Sequence, residues 1–130
     1  AADATANAAG GLFKGIPTNA AGTVPCAAAG TCSLNGGAAA TPISKYVTSI
    51  VGNTATGDMV ITYTAASGTG ATNILQLSPT SNGAVLAAGT SPAAAVKWTC
   101  YAAGKAAVDG SAVPVAATAV LSKWAPAECR

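Results

Sequence analysis

The sequence predicts an α+β domain: a short helical segment, then a four-stranded antiparallel meander, then a C-terminal stretch that folds back onto the last strand. Three observations predict it. β-prone runs recur at 46–51, 59–64, 74–78 and 94–101, and the shortness of most connections favours antiparallel neighbours. Residues Ala1 to Ala9 are alanine-rich with Asp3 in the first turn and are stopped by Gly10-Gly11, a helical pattern with a terminator. Cys100 ends the last strand and Cys129 is the last residue but one, so a bond between them would close everything after the sheet into one loop. On the loop-entropy relation such a closure stabilises by about 3 to 4 kcal/mol.

Taken in order, Ala1–Ala9 is marginal as a helix alone and reads either as the stub of a longer one or as an unstructured polar terminus. From Gly10 to Thr41 the residues are mainly Gly, Ala, Pro and Asn, a long loop that a Cys26–Cys32 bridge would tie at about 2 kcal/mol. Tyr46 to Val51 opens the sheet, and Met59 to Thr64 alternates Met59, Ile61, Tyr63 against Val60, Thr62, Thr64. Ile74 to Ser78 is the next strand, expected to end at Pro79. After an excursion with Asn82-Gly83 and Pro92, Val96, Trp98 and Cys100 alternate with Lys97 and Thr99. That alternation predicts a half-buried strand with Trp98 on its core face, where Trp98→Ala would cost about 3 to 5 kcal/mol. Asp109-Gly110 marks a turn, and Val113-Pro114-Val115 is extended.

Length allows one domain, and composition limits its core. Of 130 residues 51% are hydrophobic, but roughly a quarter are alanine, which buries little area. Charged residues are 8%, with six Lys or Arg against four Asp or Glu, a net +2 too small and scattered for a phosphate-tracking surface. No strong nucleic-acid site is expected. No apolar run reaches the roughly 18 residues of a membrane span. Four Cys without His, spaced 26/32 and 100/129, do not show the close pairs of a Cys-only zinc site and read as two disulfides of an exported protein. Three pairings are formally open. A protein exported in this way and starting at Ala1-Ala2-Asp3 is expected to have lost its targeting segment.

Absent His removes the usual base of a serine or cysteine nucleophile and the usual catalytic zinc ligand. The carboxylates Asp3, Asp58, Asp109 and Glu128 stand far apart, and no phosphate-loop or dinucleotide motif is present. A non-enzyme with no cofactor and no metal is expected.

Ser44-Lys45-Tyr46-Val47, Asn73-Ile74-Leu75-Gln76-Leu77-Ser78-Pro79, Val96-Lys97-Trp98-Thr99-Cys100 and Lys123-Trp124-Ala125-Pro126-Ala127-Glu128-Cys129 together resemble the C-terminal domain of a major type IVa pilin. The resemblance covers roughly Lys45 to Cys129. Its most specific part is the W-x-C strand paired with a K-aromatic-x-P-x-x-C ending. It implies one domain over 1–130, with a helix stub at 1–9, packed as the family's N-terminal helix is on the four-stranded sheet. An αβ-loop at 10–41, the sheet at 45–101 and a D-region at 100–129 bounded by Cys100 and Cys129 complete it. The family's hydrophobic half-helix and processing site are not in this sequence, which implies a soluble headgroup lacking that helix. Cys26 with Cys32 is then an additional pair, and Arg130 stands where some glycosylated pilins end in serine.

The function implied is that of a structural subunit of a bacterial type IV pilus, an extracellular fibre at the cell surface whose subunits are anchored in the inner membrane before assembly. Such fibres support adhesion, twitching motility, DNA uptake and phage attachment. Its partners would be other subunits, through the missing helix, which is also its only link to the membrane, and a receptor on a host cell or abiotic surface. Lys105, Asp109, Val113, Val115, Lys123 and Trp124 are the candidate receptor residues, because a disulfide-closed loop meets a ligand at low ordering cost. The competing reading has segment 102–128 cover the sheet edge and contact the next subunit. Trp124 is read first as packing this segment, and second as an exposed receptor aromatic. A type II secretion pseudopilin is one alternative, although its calcium loop is poorly matched by Asp109 as the single carboxylate between Cys100 and Ala127. A secreted disulfide-bonded binding module is the other.

With no apolar stripe long enough for a fibre core, the 130-residue chain is expected to sediment as a monomer. Long filaments assembled from it alone would place the assembly determinants in the globular part.

Overall fold

A computed structural model describes residues 11–13, 15–16, 26, 30–34 and 44–130. Six strands form one antiparallel sheet: β1 Thr31–Ser33, β2 Val47–Asn53, β3 Met59–Tyr63, β4 Ile74–Ser81, β5 Ala84–Val85 and β6 Val96–Tyr101. β2, β3 and β4 are a meander, and β6 returns to the free side of β4, which gives the four strands expected from the sequence. The two further strands are short. β1 adds to the outer side of β2 from within the stretch expected to be loop, and Cys32, paired opposite Gly52, is bonded to Cys26 with their Cα atoms 5.7 Å apart. β5 follows β4 through Asn82-Gly83, both at positive φ, the two-residue turn that matches sheet twist.

β4 is the central strand, and it runs through Pro79 instead of ending there. The reason lies in its neighbours. β3 pairs with β4 as far as Leu77, and β5 begins at Thr80, so Pro79 occupies the gap between them on that side.

The expected helix at 1–9 lies outside the described residues. Among those described there is no α-helix, only 3-10 turns at Ala65–Ser67 and Ala127–Cys129, so a helix packed on the sheet is not seen. None of the described helices is long and apolar enough to cross a membrane. The N-terminal described residues lie against the β2 side of the sheet. Leu12 N–H donates to Thr54 O at 2.8 Å, and a Cβ at Gly52 would come within 2.5 Å of the Phe13 ring, so that position admits only glycine. Gly11, at φ +75°, comes equally close to Thr54.

The facing of β6 reverses the expectation. Trp98 is 48% exposed, whereas Thr99 and Tyr101 are buried, Tyr101 completely. Opposite Tyr101, Thr99 and Lys97 stand Gln76, Ser78 and Thr80 of β4, so the face that is covered carries polar side chains. Alternation was read as apolar-inward, and here the covering segment buries the polar row. Among the described residues β6 has β4 as its one strand partner, which leaves Trp98 at the sheet margin.

Tyr101→Ala is therefore expected to cost about 3 to 5 kcal/mol and Trp98→Ala only about 1 to 2 kcal/mol, read from urea midpoints. The opposite order would show the strand facing the other way.

Candidate functional site

Segment 102–129 holds β4 from both faces. On one face its backbone answers the polar row. Gln76 Nε2 donates to Ala112 O at 2.9 Å and to Ser78 Oγ at 3.2 Å, and Thr80 Oγ1 donates to Asp109 Oδ2 at 3.2 Å. Val108 N–H donates to the Tyr101 hydroxyl at 3.0 Å. Asp109-Gly110, both at positive φ, makes the turn that brings these groups down onto the sheet. Thr99 Oγ1 and Ser111 Oγ are also buried there and have no partner among the described residues.

The segment then passes the end of β6. Residues 118–120 extend the sheet beside the start of β4: Ile74 N–H donates to Thr118 O at 3.0 Å, Val120 N–H to Ile74 O at 2.8 Å, and Ala103 N–H to Val120 O at 2.9 Å. On the second face Leu75, Ala102, Val120, Ala125 and Cys129 form the buried apolar cluster, with Ile61, Tyr63 and Cys100 packed against it. The Cys100–Cys129 disulfide joins this cluster to β6, and Ala102 N–H donates to Cys129 O at 2.8 Å beside it. A groove of about 300 Å³ opens where the segment meets the sheet, walled by Tyr63, Ser67, Thr69, Leu75, Trp124 and Pro126.

The six candidate receptor residues separate into three groups. Lys105 is used internally: its Nζ donates to Glu128 O and lies 5.5 Å from the Tyr101 ring centroid. Asp109 is likewise turned to Thr80. Val113 and Val115 are 43% and 70% exposed on the outer run of the segment, away from the groove. Lys123 and Trp124 lie together at the groove, the ammonium 4.5 Å from the Trp124 ring centroid. Trp124 is 49% exposed, so the preferred reading of it as a packing residue is corrected: the core position beside it is taken by Ala125. Tyr63, Ser67 and Thr69 were not singled out by sequence reasoning. The last two read only as turn residues, and Tyr63 only as one member of an alternating strand.

These are binding elements. Among the described residues no three His, Cys, Asp or Glu gather as metal ligands, and the groove hydroxyls have no imidazole or carboxylate beside them in its lining. The family model for pilin, a bacterial filament protein, matches residues 3–130. The chain belongs to the pilin family. No curated protein and no solved structure matches it. The pilin family is structural rather than enzymatic, so the disulfide-closed segment is part of a filament subunit that assembles with other pilins in a fibre at the cell surface.

Two substitutions check how the segment is seated. Gln76→Ala leaves Ala112 O buried without its donor and is expected to cost about 1 to 3 kcal/mol. Thr99→Val replaces an unpaired buried hydroxyl by a methyl of the same shape and is expected to be neutral or stabilising in the same thermal melts.

Proposed function

We propose that this pilin is the headgroup of a type IVa pilus subunit, one domain over 1–130 with a helix stub at 1–9, an αβ-loop at 10–41, the sheet at 45–101 and a D-region at 100–129. The observation that carries the reading is segment 102–129 itself, disulfide-closed at Cys100 and Cys129 and held to β4 on both faces, in a chain that matches the pilin family almost end to end. The subunit acts by assembly: an apolar helix preceding the headgroup packs in the fibre core and is the inner-membrane anchor before assembly, while the headgroup faces outward. The fibre serves adhesion and twitching motility, and with them DNA uptake and phage attachment. Lys123 and Trp124 are the side chains of the D-region best placed to touch a receptor, since Lys105 and Asp109 are engaged within the fold.

Antibody raised to the oxidised 100–129 peptide should decorate filaments along their whole length on the cells that make this protein, and deletion of its gene should abolish both filaments and twitching. Label confined to the cell envelope, with filaments unaffected by the deletion, would favour a secretion pseudopilin. The oxidised peptide should also compete with intact fibres for host cells or abiotic surfaces better than its reduced form.

A further inference from the structure

We propose that the groove between the closed segment and the Tyr63 end of the sheet binds a pyranose ring that carries a carboxylate, a site whose biological setting rests on the adhesive reading above. The first support is shape and lining. A space of about 300 Å³ holds one or two sugar rings, and its walls combine apolar surface from Leu75 and Pro126 with aromatic surface from Tyr63 and Trp124. Saccharides present an apolar C–H face and a rim of hydroxyls, so they need both an aromatic wall and a few placed polar groups. Trp124 supplies the wall with half its surface still open. Ser67 Oγ and Thr69 Oγ1, 2.8 Å apart, supply the polar groups, and each oxygen keeps acceptor capacity beyond the bond they share.

The second support is charge. Lys123 is stacked over Trp124, and Arg130 Nε donates to the carbonyl of the lining residue Ala125 at 2.9 Å, so two cations are tied to groove residues. No carboxylate lines the groove. Asp109 is held at Thr80, six residues along β4 from Ile74 and thus about 20 Å away. Asp58 lies just before β3, at the end of that strand remote from Tyr63. Glu128, on the turn after Pro126, is the one acid close in sequence, and it is solvent-exposed. A ligand carboxylate reaching this rim meets an ammonium or guanidinium in charge-assisted contact, which a neutral sugar cannot make. Trp98 is exposed to the same extent but lines no such groove, which makes it the internal control.

The acid can come from a sialylated glycan or from a uronate polysaccharide, and the test separates them. Trp98→Phe leaves Trp124 as the single tryptophan of the chain. Titrating this variant with 3′-sialyllactose and with digalacturonate should give saturable changes in Trp124 emission, with Kd at least about tenfold lower than for lactose and galactobiose, the factor expected from one charge-assisted bond. A response to one acidic probe alone identifies the source, and a response to both leaves the shared carboxylate as the determinant; either supports the site. Lys123→Gln should bring the acidic probes to the level of the neutral ones. By calorimetry Trp124→Ala should abolish binding and Trp124→Phe should restore part of it, with all variants melting within a few degrees of the parent. Equal affinity for acidic and neutral sugars, no binding by any of the four, or displacement of the acidic sugars by an oligothymidylate would each overturn the proposal. Filament assays do not enter these readouts, so a failure of the pilus reading and a failure of this site are separately visible.

Discussion

A buried row of polar side chains has to be hydrogen-bonded or it destabilises the fold, and in this protein the row is Gln76, Ser78 and Thr80 on the central strand. Water is displaced from it by residues 108–112, and those residues supply the replacement partners, a carbonyl from Ala112 and a carboxylate from Asp109. The sheet and the segment that covers it are therefore mutually dependent. Without the segment the strand would present a wet, weakly patterned face, and without the row the segment would have no reason to lie at this place on the sheet.

The Cys100–Cys129 bond acts at the other end of the same segment and on the other face. Its Cα atoms are 4.5 Å apart, and it joins the tip of β6 to the cluster around Leu75. Polar seating and covalent closure thus fall at separate points along one stretch of chain, with the backbone ladder at 118–120 between them. A modest core, poor in large apolar residues, is in this way helped by constraint on the chain, as expected where little area is available for burial. The stretch between the two anchors, from Val113 to Ala117, is left outside and exposed.

Much of this was legible in the sequence, and the failures have a common cause. The four main strands, the Asp109-Gly110 turn and both disulfides follow from β propensity, turn chemistry and cysteine spacing, which are local properties. Trp98 was placed inward because alternation tells which residues share a face but not which face is covered; that is decided by residues more than ten positions away, through Ala112 and Asp109. β1 could not be read because Thr31–Ser33 carries no pattern of its own, and it becomes a strand by pairing with β2. The groove escaped notice for the same reason: Tyr63, Ser67 and Trp124 meet only when the C-terminal segment returns to the sheet.

Pro79 has an effect on folding that its position in β4 makes plain. A strand whose two faces are both buried, one apolar at Leu75 and one polar at Gln76 and Ser78, offers the forming sheet few cues against sliding by a residue. A proline ring tolerates only the place where no neighbour asks for its missing N–H, and β4 has such a place between the end of β3 and the start of β5. Sliding in either direction would set the ring against a strand that needs that donor and would turn Gln76, Ser78 and Thr80 away from Ala112 and Asp109. The proline is thus an alignment stop, and it selects the one pairing in which the returning C-terminal chain finds its hydrogen-bond partners waiting.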